Sequence, residues 1–242
     1  MFKKLRKVIL LILILTVYYV SNKDNGMKFE KIKYIERKTG EIKIEKVMGE
    51  KALEFLYYNP FGKLALETVV KRKFLSDWYG KKMSKPESKE KIKSFIEEME
   101  INMKDYKRPV EDYKNFNDFF YRELKDGARI IDFDENVIVS PADGKILAYE
   151  NIKDVDKFFV KGSEFTLEEF FNDKELARKY ENGILVIVRL APADYHRFHF
   201  PVDGEISETK KIEGNYYSVS THAIRTNFRI FCENKREYAI LK

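Results

Sequence analysis

The chain has 242 residues, 44% of them hydrophobic and 36% charged, which supplies enough apolar side chain for one large core. The net charge of +6 gives a modest pull toward anionic surfaces, although a Lys-rich solvated surface accounts for it equally well. The single cysteine, Cys232, excludes an internal disulfide and fits a reducing compartment.

Residues 1–26 differ from the rest. Lys3, Lys4, Arg6 and Lys7 precede an apolar run from Val8 to Val20. As a helix that run is about 20 Å long, against a hydrocarbon core of about 30 Å. Tyr18 to Asn22 lacks the small residues of a signal-peptide cleavage site. If the run spans a membrane, the basic flank keeps the N-terminus in the cytoplasm. Two readings stay open for residues 1–26, an anchor or a spurious extension with translation beginning at Met27; in both, residues 27–242 form one domain.

From Lys28 to Val47 the apolar residues Phe29, Ile32, Tyr34, Ile42 and Ile44 flank Lys38-Thr-Gly-Glu41, which predicts a hairpin. Gly49 to Met83 reads as helical, with Asn59 capping a helix that has Pro60 at its first position. Phe61, Leu64, Phe74, Trp78 and Tyr79 lie among Lys63, Lys71, Lys73, Lys81 and Lys82. A basic amphipathic helix with a tryptophan suits a lipid interface; packing onto the domain is the plainer alternative. Ser84 and Glu87 form a capping-box pattern ahead of a predicted helix to Met99, with Ile92, Phe95, Ile96 and Met99 on one face. Phe116, Phe119, Phe120 and Leu124 make another helical face, and Glu168 to Tyr180 a short inserted helix.

The second half reads as strands: Val137–Val139, Ile146–Tyr149, a buried Ile184–Leu190, Gly204–Ile212, Phe228–Cys232 and Tyr238–Leu241. The fold class is therefore α+β, an N-terminal helical, membrane-associating region followed by a β-rich core.

Two turns carry the candidate chemistry. Ser140-Pro-Ala-Asp-Gly-Lys-Ile146 places Asp143 between apolar segments. Arg189-Leu-Ala-Pro-Ala-Asp-Tyr-His-Arg-Phe-His-Phe-Pro201 places His196 and His199 just past a strand end. An aspartate and a histidine are two-thirds of a nucleophile-activating triad, and the sequence supplies no visible third member. Each has a plain alternative: an Asp-Gly turn, and hydrogen-bonded histidines beside a strand. Arg197 suits an anion or a structural ion pair. No cysteine or carboxylate cluster stands at ligand spacing beside His196 and His199, so no metal is expected there. His222 reads as structural.

Pro-Ala-Asp-Gly followed by Tyr-His-Arg-Phe-His-Phe-Pro resembles the phosphatidylserine decarboxylases, pyruvoyl enzymes acting on a membrane lipid. Phe116-Asn-Asp-Phe-Phe-Tyr-Arg-Glu-Leu124 with Ala128-Arg129, Lys161-Gly162 with Thr166-Leu167, Tyr216-Tyr-Ser-Val219 and Phe231-Cys-Glu-Asn-Lys-Arg236 resemble further family segments in the same order. The resemblance runs from about Phe29 to the last residue. The family's downstream Gly-Ser cleavage motif is absent; Gly162-Ser163, the only Gly-Ser dipeptide, lies before the histidines and is not assigned as the pyruvoyl precursor.

The resemblance implies a proenzyme whose serine attacks the preceding peptide carbonyl, with Asp143 and His199 assisting. Chain cleavage then leaves a pyruvoyl group as cofactor on a small subunit. His196 matches the family histidine that handles substrate protons during decarboxylation to phosphatidylethanolamine. The implied partners are phosphatidylserine, an anionic membrane surface and that small subunit, with a homodimer left open and no nucleic acid. The implied location is the cytoplasmic face of the cell membrane, peripheral or anchored by residues 8–20. Without the Gly-Ser motif the 242-residue chain alone is expected to be inactive. The alternative is a non-catalytic membrane-surface lipid-binding domain derived from that fold.

Overall fold

The structure is a computed structural model that describes residues 30–152 and 165–242. The apolar segment 1–26, Phe29, Lys161, Gly162 and Ser163 lie outside the described residues. The expected hairpin is present. Strands β1 (Lys33–Ile35) and β2 (Ile42–Ile44) pair antiparallel, with Lys33 opposite Ile44, and Glu36 N donates to Glu41 O at 2.8 Å across the turn.

The helical stretch is broken into pieces by its own sequence. Helix α1 (Glu50–Tyr58) ends at Asn59, whose extended backbone lets Oδ1 accept from Phe61 N at 2.9 Å and so cap α2 (Pro60–Ala65). Gly62 is required here, because a Cβ would sit 1.9 Å from Phe55 O where α1 and α2 cross. The chain continues through a π-helical turn, Leu66–Val70, and breaks at extended Arg72 before α3 (Lys73–Met83).

The expected Ser84–Met99 helix begins later. Ser84 closes α3, its Oγ donating back to Gly80 O at 3.0 Å instead of capping forward. Pro86 then starts a 3-10 turn, and α4 runs from Lys91 to Met99. The expected apolar face holds: Ile92 and Phe95 are buried with Tyr113 and Phe119, and Ile96 and Met99 pack against them. Asn115 caps α5 (Phe116–Phe120), while Leu124 lies beyond it, bridged to Tyr106. Truncating fully buried Phe119 to alanine costs about 3–5 kcal/mol.

Strand β3 (Lys145–Tyr149) follows; Val137–Val139 forms no strand, and Ile138 is 78% exposed. The Glu168–Tyr180 segment is two helices, α6 (Leu167–Phe171) and α7 (Lys174–Tyr180), parted by left-handed Asn172. Strand β4 (Leu185–Arg189) pairs antiparallel with β3, Lys145 opposite Arg189. It is not the buried strand expected from its apolar run, since Ile184 and Val186 stand exposed. Only Lys210–Ile212 of the next predicted strand is regular (β5), with a bridge from Ile206 to Leu241.

Helix α8 (Thr221–Thr226) was not foreseen. The predicted Phe228–Cys232 strand is instead a turn into α9 (Ile230–Glu233), with Asn227 Oδ1 accepting from Arg229 N at 3.0 Å. A short, largely apolar segment such as Phe228-Arg-Ile-Phe-Cys232 does not distinguish a buried strand from a buried helical turn. Strand β6 (Arg236–Tyr238) pairs antiparallel with β5. The chain is α+β, but where a β-rich core was expected the described residues of the second half form two separate two-stranded sheets, β3–β4 and β5–β6, among helices.

Candidate active site

The two candidate turns meet at the ends of β3 and β4. His199 N donates to Pro141 O at 2.9 Å, tying the histidine turn to the aspartate turn. Gly144 lets the Asp-Gly turn lie against β4, where a Cβ would come within 2.7 Å of Arg189 O. Ser140 Oγ donates to Ala142 O at 2.8 Å and tightens the same turn.

Asp143 is held by an arginine. Arg129 Nε donates to its carboxylate at 3.0 and 3.2 Å, and Nη2 at 2.7 Å. Arg129 Nη1 also reaches Asp105 at 3.4 Å. The hydrogen bond to Asp143 pushes the Arg129 pKa further up, so the clamp is charged throughout the working pH range. No hydrogen bond joins the side chains of Asp143 and His199 among the described residues; their link is the backbone contact. The His199 side chain stands on an exposed turn between Phe198 and Phe200, which are 81% and 53% exposed.

His196 is half-buried and stacks on Phe120, ring centroids 4.0 Å apart. Its Nε2 is buried with no hydrogen-bond partner. Burial lowers its pKa, and the Arg122 guanidinium adds to that, against a smaller upward pull from the Pro192 carbonyl. The imidazole is therefore neutral at pH 7.

Arg122 had not been singled out from the sequence. It is fully buried, with its guanidinium over the Tyr106 and Phe119 rings. Its Nη2 donates to Ala193 O at 2.6 Å, Asp194 O at 3.3 Å and Tyr106 Oη at 3.1 Å. It thus grips the backbone of the histidine turn from just past the end of α5. The open question over Arg197 resolves to structure: Nε donates to Tyr121 O at 3.0 Å and Nη2 to Glu123 at 3.1 Å.

The sequence profile described as phosphatidylserine decarboxylase matches residues 116–242, which include both turns and Arg122. A phosphatidylserine decarboxylase proenzyme of Fusobacterium nucleatum is 87% identical over 216 residues, covering 89% of this chain and 72% of that protein. The chain belongs to the phosphatidylserine decarboxylase family. Phosphatidylserine decarboxylase proenzymes of Clostridium novyi and Desulfitobacterium hafniense are 46% and 44% identical, each aligned over 86% of this chain and over 71% and 70% of those proteins. As a family member, the chain brings the Pro-Ala-Asp-Gly and Tyr-His-Arg-Phe-His stretches together in space, and Arg122 and Arg129 fix one turn each. His222 lies in neither turn; it is buried in α8 beside α1.

Proposed function

We propose that this protein is a self-processing phosphatidylserine decarboxylase, forming phosphatidylethanolamine with a pyruvoyl group derived from a proenzyme serine that is not among these 242 residues. The observation that carries the reading is the half-buried, neutral His196, whose Nε2 has no partner, on a turn pinned to the Asp143 turn. An imidazole nitrogen left free in that setting fits a prosthetic group whose substrate must exchange a proton. When bound, the pyruvoyl group supplies an electron sink for decarboxylation, as pyridoxal phosphate does elsewhere. This chain's residues supply the rest. Asp143, its charge balanced by Arg129, and His199 assist self-cleavage, and His196 moves the substrate proton. Exposed Phe198, Phe200 and Ile138 offer apolar surface to the pyruvoyl-bearing small subunit.

The substrate is a two-chain lipid, so the site works at a bilayer. No described helix is long and apolar enough to cross a membrane. Phe61, Leu64, Phe74, Trp78 and Tyr79 are all more than half exposed along α2 and α3, with Lys63, Lys73, Lys81 and Lys82 exposed among them. That combination supports docking on the anionic cytoplasmic face of the cell membrane.

Joined to a downstream segment carrying the family's Gly-Ser motif, the chain should release labelled CO2 from carboxyl-labelled phosphatidylserine in mixed vesicles, and should migrate as a split chain. An unsplit chain with no CO2 release overturns the reading.

A further inference from the structure

Glu50 opens α1 and Glu54 follows one helical turn later, so their side chains share a face. Helix α8 packs on α1 and brings His222 to that face. His222 is 1% exposed, and neither ring nitrogen makes a hydrogen bond. Tyr58 meets the ring edge-on with centroids 5.9 Å apart. One ligand atom from each of Glu50, Glu54 and His222 lies within 4.8 Å of the others. None of the three belongs to the turns that carry Asp143, His196 and His199.

A buried imidazole with neither nitrogen hydrogen-bonded loses its hydration without compensation, so something must satisfy it. The Nε2 atom lies 3.5 Å from Glu50 Oε1, within ion-pair range but outside hydrogen-bond geometry. A tetrahedral zinc ion with ligands at about 2.0–2.1 Å spaces its ligand atoms about 3.4 Å apart. The separation of His222 from Glu50 thus matches two ligands of one ion. Glu54 is half-buried one helical turn from Glu50, so the two carboxylates repel. A cation between the two relieves that repulsion.

We infer that Glu50, Glu54 and His222 form a zinc site joining α1 to α8, with water in the fourth position. One imidazole nitrogen and two carboxylates suit zinc, whereas magnesium and calcium favour all-oxygen sets. The ion is a structural staple. Thr221, beside His222, donates to Glu45 at 3.3 Å, and Glu45 pairs with Arg189 of β4 at 2.6 Å, so the stapled helix is tied to the strand that leads into the histidine turn. The sequence reading of His222 as structural gains a ligand.

The test is titration of the chelator-stripped full chain with ZnCl2 at pH 7, followed by calorimetry and by ring-nitrogen NMR of histidine-labelled protein. The expected result is 1:1 uptake, a shift of the His222 ring nitrogens, and a melting temperature that rises with zinc and falls back with EDTA. Glu50→Gln/Glu54→Gln should weaken binding at least tenfold. That variant changes partly exposed positions, so it remains informative if His222→Ala fails to fold. Equal uptake by the double variant, no stoichiometric uptake by the wild type, or zinc-induced shifts confined to His196 and His199 would each overturn the assignment.

Discussion

Replacing Arg129 with methionine separates a positioning role from a merely stabilising one. The substitution leaves the Asp143 carboxylate without its two-nitrogen clamp. The pair is partly shielded, with side chains 39% and 27% exposed. An exposed pair is worth about 0–1 kcal/mol, and breaking a fully buried one costs about 3–5. Solvent screening at this exposure places the loss near the lower end, at about 1–2 kcal/mol. For a chain of this size that lowers the melting temperature by only about 2–8 °C. The effect on self-cleavage should be far larger, because a carboxylate displaced by about 1 Å costs on the order of 100-fold in rate. Arg129→Lys should recover part of the rate, since a point charge cannot reproduce the planar two-point grip. Processing is read as the ratio of split to unsplit chain after pulse labelling, and stability by thermal melting. Because both groups act as one unit, Arg129→Met/Asp143→Asn should process no worse than Asp143→Asn alone. Wild-type processing by Arg129→Met, despite a lowered melting temperature, would reduce the clamp to a structural ion pair.

Three further outcomes follow from the geometry. In the chain joined to a segment carrying the Gly-Ser motif, Asp143→Asn and His199→Ala should block self-cleavage, whereas His196→Ala should permit it and impair lipid turnover; normal processing of His199→Ala on a gel refutes these roles. His196 has a pKa below its ordinary value of 6.5, so the unfolded chain binds more protons there than the native one and stability declines as pH falls below 6.5. His196→Asn should flatten that part of the melting-temperature profile, and an unchanged slope would mean the imidazole is not held neutral by the fold. Phe74→Ser/Trp78→Ser should weaken binding to phosphatidylserine vesicles while keeping cooperative melting, since both side chains are more than half exposed. Wild-type binding should fall with salt, as the Debye length shrinks from about 10 Å at 0.1 M to about 3 Å at 1 M; salt-independent binding removes the role of the lysines.

What was legible in the sequence was what local chemistry decides alone. Asn59-Pro60 marks a helix start because one oxygen caps it and one fixed φ begins it, and the structure uses both. The Asp143 and histidine turns were legible because Pro and Gly punctuate them. The failures arose where tertiary context chooses. Ser84 had a forward capping partner in sequence, but Pro86 interposed a 3-10 turn and its hydroxyl bonds backward. Phe228–Cys232 carried equal signal for strand and helix. Arg122 was invisible as a site residue because an arginine between Tyr121 and Glu123 reads as surface; only the fold shows it completely buried. Glu50, Glu54 and His222 are brought together only by the packing of α8 on α1.

The arginines hold the histidine turn in place, and one of them adds to the burial that keeps His196 uncharged. Arg189, at the end of β4, pairs with Glu45 at 2.6 Å and anchors the strand that delivers the turn. Within the turn, Asp194 accepts from Ala191 N at 2.7 Å and lies 3.7 Å from Lys145, so it is held locally and from β3. Arg122 closes the opposite side by gripping the carbonyls of residues 193 and 194, and among the described residues no carboxylate lies within ion-pair range of it. A cation satisfied by carbonyl dipoles keeps most of its field, and His196 lies within reach of that field. A carboxylate in Arg122's place would draw a proton onto the imidazole, whereas the arginine drives it off. Burial and, after it, the field of the arginine that fixes the turn's backbone both lower the His196 pKa, which favours the neutral imidazole a proton acceptor requires.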